Sequence, residues 1–283
     1  MGTALVSTRS RHQQTVKIGY AAITWGGNDL QAIDDISSLG YGGIQLRSNV
    51  LARFGDRPSE LRELLSKRKL TFVALSSGSA RIDSPDPAAM IASHLRNARF
   101  LRDAGGLYLQ ITIDRPMGRV VTDADYVAAG RLLTDIGRLT ADLGAPLVLH
   151  PHMGSLVERP DELDRVMDAT DSRVVRLLLD VAHYKQGGGD PPSAIRKYRD
   201  RLLLLHMKDV RDTTTAAGYQ FVELGRGKVD VRAIFSALAD IAFQGWAIVE
   251  LDDVPERGRT PRESAEISRQ FLASIGVRVS NGR

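Results

Sequence analysis

The sequence predicts a single (β/α)₈ TIM barrel on three observations: eight short apolar runs, an amphipathic helical segment after each, and no linker-like break from first to last. The runs are VKIGYAAIT (16–24), GGIQL (42–46), TFVAL (71–75), LYLQIT (107–112), PLVLH (146–150), VVRLLLD (174–180), RLLLLH (201–206) and WAIVEL (246–251). Strands this apolar, each followed by a helix, pair in parallel and are covered by those helices. The helical segments fall near 28–39, 58–68, 86–104, 122–143, 160–170, 191–199, 229–241 and 261–275. Start signals stand at Asn28, at Pro58 with Ser59, at Asp123, at Pro160 with Asp161, and at Pro261 ahead of Glu263. Stop signals stand at Gly40, Gly105 with Gly106, Gly144 and Gly245, since glycine past a helix end takes the left-handed turn. An open doubly wound sheet is the alternative, but it requires a glycine-rich turn after the first strand, and WGGND (25–29) lacks the GxGxxG spacing. The loops after strands one, three and seven read as the long ones, on the face where barrel active sites lie.

Composition narrows the chemistry. The chain has 283 residues, 43% hydrophobic and 25% charged, too apolar for disorder. It contains no cysteine, which excludes disulfides, a thiolate nucleophile, zinc fingers and iron–sulfur clusters. Thirty-eight Lys and Arg against 34 Asp and Glu give a net charge of +4, without a run of five or six like charges. A nucleic-acid partner is therefore not expected. No apolar run reaches the roughly 18 residues of a membrane span. Residues 1–15 are polar and read as a flexible N-terminal extension, with residues 16–283 forming the barrel and a cytoplasmic location expected.

Strands five to eight end in His150, Asp180, His206 and Glu250, each the polar residue that stops an apolar run. At the inward C-terminal end of a barrel strand such a group faces the mouth, and four adjacent strands bring four groups around one point. Two imidazoles and two carboxylates suit one divalent cation, such as Mn²⁺, Co²⁺, Zn²⁺ or Fe²⁺. The competing reading is four separate residues, each satisfied by loop backbone.

The segments VLHPHMGS, LLLDVAHY, LLLHMKDVRD and WAIVELD resemble those of the xylose isomerase-like sugar phosphate isomerase/epimerase superfamily. That superfamily takes in hydroxypyruvate isomerase, ketose 3-epimerases, 3-dehydroshikimate dehydratase, inosose dehydratase and endonuclease IV. The resemblance covers residues 16–275, with Asp180-x-x-His183 and HMKD (206–209) as its more specific parts. It implies one metal ion, Mn²⁺ first and Co²⁺, Zn²⁺, Fe²⁺ or Mg²⁺ otherwise, held by His150, Asp180, His206 and Glu250. It also implies a small keto-sugar or polyol substrate and a tendency to homo-oligomers. One position departs: the family has glutamate where this chain has His150. Ketose epimerases of the superfamily use carboxylates on strands five and eight as opposed bases, so the histidine points to elimination of water beside a ketone, as in inosose dehydratase. Isomerase or epimerase activity is the alternative. The HPHMG segment, similar to one of inosose dehydratases, leans towards elimination. An endonuclease needs about nine His, Asp and Glu ligands for three zinc ions, more than six histidines, two of them far from the mouth, support. A non-catalytic sugar-binding barrel is the remaining alternative.

His152, two residues past His150, is the first candidate for proton transfer, with Lys208 as a second acid and Glu250 acting as both ligand and base. Trp25, Gln45, Arg47, Gln110 and His183 are expected to contact substrate, with Glu158 and Glu223 as rim carboxylates.

Overall fold

A computed structural model describes residues 16–279; the expected extension, 1–15, lies outside them. The strands are β1 (Lys17–Ala21), β2 (Gly43–Arg47), β3 (Thr71–Ala80), β4 (Tyr108–Ile113), β5 (Leu147–Leu149), β6 (Val175–Asp180), β7 (Leu202–Met207), β8 (Asp209–Asp212), β9 (Tyr219–Val222) and β10 (Trp246–Val249). Strands β1 to β7 and β10 pair in parallel and close into a barrel, with β10 hydrogen-bonded to β1. The predicted (β/α)₈ barrel is therefore the observed one. β8 and β9 form an antiparallel hairpin after β7 that the sequence pattern does not anticipate.

The helices are α1 (Asp29–Ser38), α2 (Leu51–Phe54), α3 (Pro58–Lys67), α4 (Pro87–Asp103), α5 (Asp123–Asp142), α6 (Pro160–Asp168), α7 (Val181–Gln186), α8 (Pro191–Lys197), α9 (Val231–Asp240) and α10 (Pro261–Ser274). All eight predicted helices are present; α2 and α7 are short additions. Of the start signals, Asn28 caps α1 and Pro261 opens α10 behind a reciprocal capping box of Thr260 and Glu263; Asp86, not among those signals, accepts the Ala89 N–H of α4 at 2.9 Å. No helix among the described residues is long and apolar enough to cross a membrane.

Two expectations are corrected. Gly40, Gly105 and Gly144 are left-handed, but after α9 it is Ala242 that takes the positive φ, of 51°. Gly245 is needed for space instead, because a Cβ there would stand 2.7 Å from the Leu203 carbonyl oxygen. The loops also differ: only residues 22–28, opening with a short 3-10 turn at Ala22–Trp25, separate β1 from α1, and β3 itself continues to Ala80 by pairing with β4, so of the three only the β7 connection carries inserted strands.

Side chains alternate along a strand, so every second residue of a barrel strand enters the cylinder. Val148, Leu178, Leu204 and Ile248 form an apolar plug with Val73 and Trp246 inside the barrel, while the residues between them pack outward under the helices. The next inward positions are His150, Asp180, His206 and Glu250, which the same alternation places above the plug. Gly43 lies at the closed end, where a Cβ would come within 2.5 Å of Val73 Cγ2 and 2.6 Å of Trp246 Cζ3. Both neighbours are locked in the plug, so Gly43→Ala is expected to lower stability by about 1–3 kcal/mol, read from the urea unfolding midpoint.

Candidate metal centre

The site is built from strand ends and the residues just beyond them. β6 runs directly into α7, and Asp180 caps that helix: its Oδ1 accepts the N–H groups of Ala182 and His183, both at 2.9 Å. This fixes the carboxylate and aims Oδ2 into the mouth. His150 Nε2 stands 3.7 Å from that oxygen and His206 Nδ1 3.6 Å; His206 Nδ1 is also 3.3 Å from Glu250 Oε1. His150 Nε2, Asp180 Oδ2 and His206 Nδ1 are buried and make no hydrogen bond. Atoms sharing one ion through bonds of about 2.1 Å stand about 3–3.5 Å apart, so the spacing and the mixed nitrogen and oxygen donors fit a divalent cation. Burial without partners costs free energy that a cation or its ligands would recover.

Lys208 enters the cluster from β7's continuation and is fully buried. Its Nζ donates to Asp252 Oδ1 at 2.9 Å, forms ion pairs with Glu250 Oε1 at 2.8 Å and Asp180 Oδ2 at 3.6 Å, and sits 4.5 Å from the Phe221 ring centre. Burial alone would favour the free amine, but the carboxylates of Glu250, Asp180 and Asp252 outweigh it and hold the lysine protonated, its pKa above the ordinary value. With neutral histidines, three carboxylates against one ammonium leave two negative charges, which a divalent cation matches. Burial pulls His150 down to about 4, leaving its ring neutral. Burial also acts against a charge on His206, but Glu250 and Asp180 prevail and raise it to about 9, so without a cation a proton takes the space between those carboxylates. Asp180 and Glu250 stay ionised: burial would raise both, yet His183 and Lys208 around the first, and His206 and Lys208 around the second, hold them well below the usual range.

Beneath the cation site, two amides join the histidines. His206 Nε2 meets Gln45 Oε1 at 2.9 Å, Gln45 Nε2 donates to Gln110 Oε1 at 2.6 Å, and Gln110 Nε2 meets His150 Nδ1 at 2.7 Å. A cavity of about 170 Å³ opens above, lined by Gln45, Arg47, Gln110, His150, His152, Glu250 and Asp252 among others.

His152 donates from Nδ1 to the Met153 carbonyl at 2.7 Å, which leaves the lone pair on Nε2, and its ring stacks on His183 at 3.8 Å between centres. His183 is buried behind it, between His152 and Phe221, with Nδ1 accepting the Met153 N–H at 3.2 Å; it is not among the residues lining the cavity. Trp25, expected to stack on substrate, is turned away: its indole donates to Asp35 at 2.9 Å and its ring packs edge-on against Tyr20. Glu223 is no rim group but a buried partner of Arg259 and Ser264. Glu158 closes its own loop by accepting the Gly154 N–H at 2.8 Å. Sequence reasoning misses Asp252, although its place two residues beyond Glu250 on the same alternation is a usable signal. It misses Phe221, which carries no local signal, and Asp209, whose carboxylate gathers the N–H groups of Val210, Gly225, Gly227 and Val229 and so shapes the hairpin's base.

The chain matches the xylose isomerase-like TIM barrel model over residues 33–275. It is 28% identical to the rhizopine catabolism protein MocC of Rhizobium meliloti, over 93% of this chain and 89% of that one. It is 26% identical to the inosose dehydratase of Bacillus thuringiensis (strain Al Hakam), over 92% of this chain and 97% of that one. Among solved structures, the IolI protein with a bound zinc atom superposes with a TM-score of 0.76 at 18% identity, covering 92% of this chain and 98% of that one. The probable 3-DHS dehydratase AsbF from Bacillus anthracis gives 0.74 at 16%, covering 90% and 99%. At such identities the structural likeness speaks for the fold, and the match along the sequence carries the kinship: the chain belongs to the xylose isomerase-like TIM-barrel family.

Proposed function

We propose that the protein is a divalent-metal-dependent dehydratase of a keto-cyclitol or keto-sugar. The observation that carries this reading is the set of buried, partnerless donor atoms on His150, Asp180 and His206 at the barrel mouth: Asp180, His206 and Glu250 lie close enough together to share an ion, and Asp180 forms a second such group with His150 and His183. The inosose dehydratases among its relatives, matched over nine-tenths of the chain, support the substrate class. Asp180, His206 and Glu250 would hold the cation, with His150 beside them; Mn²⁺ is our first choice because two of those three donors are hard carboxylate oxygens. When bound, such a cation supplies Lewis-acid polarisation of a ketone and so acidifies the neighbouring C–H.

His152 presents the lone pair of Nε2 and takes the α-proton as general base. As the C–O bond to the β-hydroxyl breaks, its electron pair leaves with the oxygen, which needs a proton to depart as water. Lys208 stores that proton, and Asp252, 2.9 Å from the ammonium and on the cavity wall, passes it on. Exchange with solvent then returns the proton gained at His152. Gln45, Gln110 and Arg47 supply donors for the ring hydroxyls, and Phe221 covers the lysine, keeping water from its charge pairs. An imidazole at the strand-five position, where two-face epimerisation calls for a carboxylate, favours elimination over epimerisation.

Three outcomes are expected. Incubation with 2-keto-myo-inositol and Mn²⁺ in D₂O should give an unsaturated ketone by NMR and ultraviolet absorbance; an epimer with no double bond would reject elimination, and full activity after exhaustive chelation would reject the metal. His152→Gln should lower kcat by about 10²–10⁴-fold while metal affinity, read by titration calorimetry, is kept. Lys208→Met leaves carboxylates buried without their cation and should cost the metal-free protein about 3–5 kcal/mol in denaturant unfolding.

A further inference from the structure

The two glutamines beneath the cation site do more than line a cavity, because a primary amide has a direction. One end of its side chain only donates and the other only accepts. Gln45 and Gln110 are both buried and are joined at 2.6 Å, so the donor of one must face the acceptor of the other. The pair then has one donating end and one accepting end, and a histidine closes each: His206 Nε2 at Gln45 Oε1, 2.9 Å, and His150 Nδ1 at Gln110 Nε2, 2.7 Å. Were both rings neutral with lone pairs aimed into the mouth, both lower nitrogens would carry hydrogen and the amide nitrogens would face each other, donor against donor. Reversing both amides exchanges the two histidines' roles without removing the conflict.

The direction is set by what faces each ring. His150 Nε2 lies 3.7 Å from Asp180 Oδ2 and has no other partner, so a hydrogen there meets a carboxylate, whereas a lone pair would meet its negative charge. His206 Nδ1 lies between Glu250 Oε1 and Asp180 Oδ2, at 3.3 and 3.6 Å, where a cation can replace its proton while Nε2–H continues to donate to Gln45.

We propose that the Gln45–Gln110 pair is a directional hydrogen-bond wire that places the proton of both histidines on Nε2, so that the two rings face the mouth differently: His206 offers the lone pair of Nδ1 to the cation, and His150 keeps N–H on Nε2 and donates it to a carbonyl or hydroxyl oxygen of the substrate. His150 is then a substrate-facing donor rather than the fourth ligand that the sequence pattern suggests, and the cation sits on the His206–Glu250 side of Asp180. The cation's part rests on the metal-dependent function proposed for the site; the Nε2–H form shared by both rings comes from the wire together with the carboxylates that face each ring.

The test is heteronuclear NMR on the full chain carrying histidine labelled with the NMR-active nitrogen isotope, with resonances assigned from single histidine variants. In the metal-free protein near neutral pH, His150 is expected as the Nε2–H tautomer, with Nε2 of His206 also protonated. After loading with the NMR-active cadmium isotope, a cadmium–nitrogen coupling is expected at His206 Nδ1 and none at His150. In Gln110→Glu both side-chain oxygens accept, so His150 should become protonated at Nδ1 and a second coupling should appear; Gln45→Glu should do the same. A wild-type His150 in the Nδ1–H form, cadmium couplings at both wild-type histidines, or a His150 proton unmoved in both glutamate variants would overturn the proposal. Absence of any cadmium binding would instead overturn the metal reading, and the metal-free tautomers would still decide the wire.

Discussion

Alternation along a barrel strand is the constraint on which the site depends. Once Val148, Leu178, Leu204 and Ile248 are committed to the plug, the residues two positions later must enter the same space one layer higher. There the barrel is no longer filled from all sides, so polar groups can be buried together rather than excluded. The apolar layer therefore acts as a floor: it sets the depth of His150, Asp180, His206 and Glu250 and keeps water from reaching them from below. A shift of one residue in any of these strands would send an imidazole or carboxylate under the helices, where nothing could satisfy it. The register His206 opposite Asp180 across β6 and β7 is thus fixed by hydrophobic packing before any cation arrives.

That same rule explains how much of the molecule is legible in the sequence. A strand and the polar residue that ends it are local features, so the eight runs and the four terminal residues can be read directly, and the inward direction of Gln45 and Gln110 comes with them. Which inward residue meets which cannot be read, because that depends on the stagger of strands around the barrel. Gln45 reaches Gln110 two strands away and His206 on the far side, contacts separated by 65 and 161 residues. Trp25 and Glu223 show the other limit. Each stands in a connection without period, where tertiary partners, Asp35 and Tyr20 for the one and Arg259 and Ser264 for the other, decide which way a side chain turns.

Lys208 illustrates how burial changes the meaning of a residue. A lysine just past a strand usually extends into solvent, yet this one has carboxylates on three sides and an aromatic face above it. Its charge makes two buried carboxylates, with the partly exposed Asp252 beside them, tolerable together, since Asp180 and Glu250 would otherwise lose hydration without return. It does so incompletely, and the remaining negative charge is what the proposed cation would balance. A neutral residue there would leave the carboxylates to take up protons, which the proposed metal site could not tolerate.

The segment HMKD (206–209) carries these requirements in four consecutive residues. His206 points in with Nδ1 between two carboxylates; Met207 points out and packs in the helix layer; Lys208 points in again, one layer higher; and Asp209 turns out to collect four backbone N–H groups from residues 210–229. Asp209 thereby anchors the hairpin of β8 and β9, and that hairpin brings Phe221 over Lys208 and against His183. The proposed ligand, the buried lysine that balances its carboxylates and the clamp for that lysine's cover thus share one stretch of chain, ordered by alternation. Because the cover is fastened one residue from the lysine it shields, the hairpin's base cannot loosen without hydrating the charge cluster. The conformation of the β7 connection and the electrostatics of the centre are therefore one property of the structure.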